Sequence, residues 1–233
     1  MKRLFILLSM IPLYSVLLGQ GKSDDFHRIQ LGVNFAPAYA YRTLNWDSEN
    51  WILQGRNEYE IAKFGYSGGL NIYYNLNDWF GIGSGIQYAN KGYRAKKVYM
   101  DEDQTDFVLN NSQWFRTVHR FHYVEIPLKA QFTMGKQKVR FLSGVGLTTG
   151  FLLNQTNAFQ YDGGENKSEN YADQYNRINL FPTVSVGVDY KITSKSNVRI
   201  EPMFQYGIVE TAKSSDEYLW SLGVNVSYLI GIK

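Results

Sequence analysis

Two of the chain's three histidines, His119 and His122, stand three residues apart. An imidazole with a hydroxyl in hydrogen-bond reach can drive nucleophilic chemistry, as in enzymes that acylate or deacylate lipids. The nearby hydroxyls are Ser112 and Thr117, and no His-x-Ser pair shares a strand face with either ring. Histidines without chemistry are therefore the simpler reading, and a lipid-modifying enzyme is the competing one. Asp101, Glu102, Asp103 and Asp106 crowd one short segment whose ligand type suits Ca²⁺. It lacks the glycine and terminal glutamate of an EF-hand loop, so it reads as a solvated acidic loop. The chain has no cysteine, which excludes thiolate metal sites, disulfides and a lipoprotein anchor. No glycine-rich phosphate cradle occurs. We expect no catalytic residue, metal or cofactor.

A second charged set recurs at alternate positions: Glu125, Lys129, Arg140, Asp189, Lys191, Arg199 and Glu201. Pairing across a turn at 194–196 would bring Asp189 near Arg199 and Lys191 near Glu201. Opposite charges gathered in a low-dielectric interior must neutralise one another. Such a network is either a structural plug or a gated path for ions or protons.

The elements that position these residues follow from a period of two. From Ile29 to Tyr41, odd positions are bulky and apolar, while even positions are small or polar. The pattern returns at roughly 61–76, 79–93, 119–134, 138–153, 178–193, 197–211 and 218–230, which makes eight strands. Links at 75–78, 135–137 and 194–196 are short and rich in Gly, Asn, Asp, Ser or Lys. Those at 42–60, 95–118 and 154–177 are long. Short turns at one rim and long loops at the other predict an all-β fold, an eight-stranded antiparallel up-and-down transmembrane β-barrel with periplasmic turns and extracellular loops. Both termini would then be periplasmic.

The apolar face has two possible directions, inward around a ligand in a soluble barrel or outward to lipid. The polar face decides for lipid. It mixes charges with many glycines and alanines, including Gly81, Gly83 and Gly85, which suit a crowded interior and would make a poor soluble exterior. Mean hydropathy of −0.32 does not oppose this, because a barrel strand shows lipid only at every second residue. Aromatics fall near strand ends as girdles would: Trp79, Phe80, Phe132, Tyr190 and Tyr228 at the short-turn rim, and Tyr39, Tyr41, Tyr66, Tyr88 and Tyr206 toward the other.

At the N-terminus, Lys2 and Arg3 precede an apolar run from Leu4 to Leu18 and small or polar residues from Gly19 to Gly21. This is the pattern of a secretory signal peptide. We expect residues 1–20 to be the signal, 21–27 a periplasmic stub, and 28–233 the barrel. The formal charge of +3 falls to about +1 without the leader, so nucleic acid is not an expected partner. The expected partners are outer membrane lipid and, at the long loops, a protein or glycan. Trp46, Trp51, Trp114, Phe115 and Tyr171 lie in those loops. Aromatics among amides either bind such a ligand or fold onto one another as a cap.

The segment from His122 to Phe132, HYVEIPLKAQF, carries Tyr123, Glu125, Ile126, Pro127 and Leu128. It resembles the Y-x-E-I-P-L strand of the PorT-like outer-membrane β-barrel proteins of the Bacteroidetes. Gly81 to Arg94, GIGSGIQYANKGYR, is similar to the G-L-x-Y-x-x-K-G strand of that family. The resemblance implies a barrel inserted by the outer-membrane assembly machinery and, for some members, a role beside type IX secretion components. It marks the barrel well and a single function poorly. The expected function is non-enzymatic: a plugged barrel that is structural, adhesive or accessory to secretion, against a narrow pore or an outer-leaflet lipid-modifying enzyme. Pro37, Pro127, Pro182 and Pro202 lack a ladder donor and are expected at bulges or bends. Glu125, two residues before Pro127, is expected to bind a freed amide or an interior lysine.

Overall fold

The computed structural model describes residues 26–44, 51–99, 114–161, 167–170, 172–213 and 216–232, with 51–53, 161 and 167–170 described by backbone alone. The signal-peptide stretch, the acidic segment 101–106, Ser112, Trp46 and Tyr171 lie outside the described residues.

The strands are β1 (Ile29–Leu44), β2 (Glu60–Asn75), β3 (Phe80–Ala95), β4 (Val98–Tyr99), β5 (Trp114–Met134), β6 (Val139–Tyr161), β7 (Lys167–Asn170), β8 (Ile178–Lys191), β9 (Ser196–Tyr206) and β10 (Glu217–Gly231). Eight of them form a closed antiparallel ring in the order β1, β2, β3, β5, β6, β8, β9, β10, and β10 pairs back onto β1 from Gln30↔Gly231 to Leu44↔Glu217. Closure leaves no sheet edge, which removes the unpaired backbone groups a membrane cannot satisfy. The short strands β4 and β7 are additions on β5 and β6.

Alternation decides the faces as expected. Val33, Leu70, Leu128, Val145 and Val184 point outward and are 53–61% exposed. Their neighbours Gln30, Ser67, Gln131, Thr148 and Ser185 point inward and are buried. A wall of exposed Val, Leu, Ile and Phe around a polar interior is stable only in lipid, which settles the direction against a soluble barrel. On β5 the outward apolar run goes from Val124 through Ile126, Leu128 and Ala130 to Phe132, close to the 9–11 residues that cross a bilayer in a tilted strand.

The short turns explain themselves locally. Asn77 Oδ1 accepts from the Trp79 and Phe80 amides at 3.1 and 2.7 Å, a side chain standing in for backbone at a turn. Thr193 Oγ1 does the same for Lys195 and Ser196. Gly135 opens the turn after β5 with φ +114°, a conformation costly for any residue with a Cβ. Above this rim, Trp79 stacks on Phe132 at 6.1 Å, and Phe80 meets the same ring at 5.1 Å. At the other, Tyr66 lies 6.1 Å from Tyr88.

Four expectations are corrected. β5 and β6 run past the expected strand limits into segments read as loop, from Trp114 and to Tyr161, and α1 (Trp51–Tyr59) occupies the first long link. Strand β9 stops at Tyr206. The prolines keep the register, with Pro127 opposite Thr148 and Pro182 opposite Leu147; the irregularities fall instead between Ala62 and Tyr66 and between His122 and Tyr123. A missing donor removes one ladder bond without inserting a residue. Arg28 lies exposed, just ahead of β1.

Candidate functional site

The lumen is filled in layers. Nearest the short turns, Asp189 is fully buried and is held by Arg140 and by the Asn197 amide. Arg199 Nε lies 3.6 Å from Asp189 Oδ1. Arg199 also donates to Gln131 at 2.6 Å and to Gln30 at 3.0 Å, with its guanidinium 4.6 Å from the Tyr73 ring centroid. A recess of about 40 Å³ opens below, lined by Gln30, Asn75, Gln131, Arg140 and Arg199 among others.

In the next layer Glu201 takes the Lys129 ammonium and accepts from Ser185 Oγ at 3.0 Å and from Asn225 at 3.4 Å. Glu125 pairs with Lys91 at 2.6 Å and accepts from Gln87 at 3.1 Å. Lys91 also donates to Gln205 at 3.0 Å and stands 3.6 Å from the Phe181 centroid, so anion, amide and ring face share one cation. Each of these three carboxylates is 0% exposed and faces a cation, the condition under which buried charge is tolerated.

An apolar layer follows, built from Ala89, Tyr93, Phe121, Tyr123, Leu152, Phe181 and Leu219. Tyr123 meets Phe181 edge-on at 5.7 Å, and Tyr175, from the long link before β8, meets Phe121 edge-on at 5.0 Å. At the long-loop rim, helix α1 is tied over the opening. Arg56 reaches Glu60 at 2.9 Å, Glu217 at 2.8 Å and the Tyr93 hydroxyl at 2.9 Å. Arg42, fully buried, binds Glu60 and Asn57 at 2.7 and 2.6 Å. Burial opposes the charge on Arg56, but Tyr93, Glu60 and Glu217 more than offset it, leaving its pKa above the usual arginine value.

Six of the seven network residues expected from sequence thus meet in the lumen. Lys191 does not join Glu201. Asp189 stands opposite Arg199, and one antiparallel register then places Lys191 opposite Asn197, while Lys129 from across the lumen serves Glu201. Of the two partners expected for Glu125, a freed amide or an interior lysine, the structure has the lysine, Lys91. Arg42, Arg56, Glu60 and Glu217 were missed. Arg42 and Glu217 are in phase with the inward positions of β1 and β10, yet nothing in the sequence showed that α1 would bring Arg56 to Glu60 and Glu217.

His119 stacks on Tyr93 at 4.5 Å, and His122 Nδ1 bonds the Tyr88 hydroxyl. Among the described residues no Ser or Thr hydroxyl hydrogen-bonds either ring. Of the loop aromatics, Trp114 lies edge-on to Tyr99 at 5.3 Å, Phe115 stacks on Phe159 at 5.7 Å, and Trp51 opens α1.

Residues 18–213 match the sequence profile described as outer membrane protein beta-barrel domain. No curated protein matches the chain by sequence. Similar solved structures include Neisserial surface protein A (NspA), at 15% identity, TM-score 0.44, with 88% of this chain and 97% of that one covered. The N-terminal β-barrel domain of Pseudomonas aeruginosa OprF is 14% identical, with TM-score 0.40 and coverage of 88% and 98%. The outer membrane protease OmpT from Escherichia coli is 10% identical, with TM-score 0.43 and coverage of 91% and 99%.

Proposed function

The chain belongs to the outer membrane protein beta-barrel domain family, and on that premise we propose that it is a non-enzymatic integral membrane protein whose lumen is a packed core and whose extracellular loops recognise a partner. It resides in the outer membrane. The carrying observation is the filling of the lumen: the Arg140–Asp189, Lys129–Glu201 and Lys91–Glu125 pairs, then the Tyr123–Phe181 layer. An eight-stranded barrel is just wide enough for side chains to fill. In this reading the charge network is structural, residues 1–20 are a cleaved signal, and the work lies in adhesion, envelope structure or a secretion assembly. The Tyr123–Leu128 motif and its PorT-like resemblance favour the last of these, with secretion components as partners.

Planar-bilayer recording on the purified chain tests the reading. Silence at physiological salt is the expected outcome; reproducible conductance steps would replace the plug with a narrow pore. Lipid A mass after expression is expected to be unaltered, and a shift in acyl or phosphate content would make the chain a lipid-modifying enzyme.

A further inference from the structure

A second site lies on the outer wall. Along β5 the outward positions continue beyond the apolar run as His122, Arg120, Val118 and Arg116, and on β3 the position beyond Tyr88 and Asn90 that carries charge is Arg94. The ladder places Arg94 opposite Val118, Gly92 opposite Arg120 and Asn90 opposite His122, so these side chains share one lipid-side face just above the hydrocarbon. Lys63 joins them by an irregular route. It pairs with Ala40 at an inward position, but the register slips between Ala62 and Tyr66. Its side chain passes Gly92, whose φ is +130° and where an added Cβ would lie 3.2 Å from Lys63 Cε. Its ammonium then reaches the Phe64 carbonyl at 3.2 Å and the Asn90 amide oxygen. Together these residues line a groove of about 460 Å³ whose apolar contributions are Phe64, Tyr66 and Val118.

The groove gathers cations without anions. Arg116 donates to Gln160 at 2.8 Å, and among the described residues no carboxylate forms an ion pair with Lys63, Arg94, Arg116 or Arg120. Elsewhere in this barrel buried cations are matched by carboxylates within the same layer. Four like charges held on one face repel one another unless an external anion neutralises them. The position names the source of that anion. A site at the height of the headgroups, facing lipid and floored by aromatic side chains, meets the phosphorylated headgroups of the outer leaflet before any soluble ligand. Guanidinium forks match phosphate oxygens in pairs, and the exposed rings Phe64 and Tyr66 offer apolar area to the sugar or acyl portion beside the phosphate.

We propose that this groove, centred on Arg116, Arg120 and Lys63, binds the phosphorylated headgroup of an outer-leaflet glycolipid. The test uses the full chain in detergent micelles and native mass spectrometry, with bisphosphorylated lipid A, its dephosphorylated counterpart and inorganic phosphate as probes. The phosphorylated lipid binds at least about tenfold more tightly than the dephosphorylated one, and Arg116→Gln/Arg120→Gln loses about tenfold for each charged contact removed. Lys136→Gln/Lys195→Gln removes the same charge from the exposed short turns and leaves binding unchanged. Only variants that keep the heat-dependent gel shift of a closed barrel are compared, and Arg94→Gln replaces the double variant if that one does not fold. Equal affinity for the two lipids, equal losses in the two double variants, or displacement of the lipid by inorganic phosphate at the lipid's own concentration would each overturn the assignment.

Discussion

Lys129 of β5 and Glu201 of β9 form an ion pair across the lumen, although β6 and β8 separate their strands along the wall. The pair therefore braces opposite sides of the ring. Glu201 has 0% side-chain exposure, so removing its cation strands a desolvated charge. Lys129→Met is expected to destabilise the barrel by about 3–5 kcal/mol, leaving Ser185 and Asn225 as the remaining donors. Lys129→Met/Glu201→Gln should recover much of that loss, because a neutral amide has far less to lose in the same place. Urea unfolding in lipid vesicles, followed by tryptophan fluorescence, measures both. A double variant no more stable than Lys129→Met would show that the pair is not the brace.

The aromatic layer gives a different expectation. Phe121 and Phe181 are fully buried and reach into the lumen from β5 and β8. Truncating each removes packing on the order of 3–5 kcal/mol, but the ring of ladders around it stays closed. Phe121→Ala/Phe181→Ala should therefore keep the gel shift, melt at lower temperature, and open a small cation or anion conductance that the native chain lacks. If the double variant folds and stays silent in planar bilayers, the charged layers below are the actual seal.

Arg56 ties α1 to two strands through Glu60 and Glu217. Its side chain is 26% exposed, so its screened contribution is about 1 kcal/mol. Arg56→Ala should speed protease cleavage of the 45–59 link about fivefold while the barrel's heat shift is unchanged. Added salt should speed cleavage of the native chain in the same direction.

Much of the barrel was legible because the bilayer imposes it. Each spanning strand needs apolar residues on one face only, so Leu31, Val33 and Phe35 against Gln30, Gly32 and Asn34 already give strand, face and length. The constraint ends where lipid ends. From Asn154 to Asn157 both faces of β6 are polar, so no period of two marked the strand's continuation to Tyr161. Helix α1 has an equally weak pattern, and among its described side chains Arg56 ties it to Glu60 and Glu217 and Asn57 to Arg42. In the lumen, the inward charges and the neighbour pair Asp189–Arg199 were legible, but not which residues meet across the barrel. Asp189–Arg199 is a neighbour contact that a turn register can supply, whereas Lys129–Glu201 and Lys91–Gln205 cross the barrel. Cross-lumen pairing depends on strand tilt and stagger, which no single hairpin encodes.

Gly150 tests how tightly that interior is filled. It faces Glu125 across the β5–β6 ladder, and a Cβ built there would meet Phe181 Cε2 at 2.9 Å and Tyr123 Cδ1 at 3.2 Å. Both rings are fully buried and edge-on to each other, so neither is the free end of a flexible chain that can swing aside. Gly150→Ala should cost about 1 kcal/mol and Gly150→Val about 1–3 kcal/mol, the range for overpacking a close-packed core. Thr149, the preceding residue on β6, pairs with Ile126 on the opposite face, and Thr149→Val should change little. Thermal melts followed by the gel shift would rank the three. Equal tolerance of valine at 149 and 150 would mean that the lumen has slack beside the Tyr123–Phe181 layer, and a conducting path past it would then need no further opening.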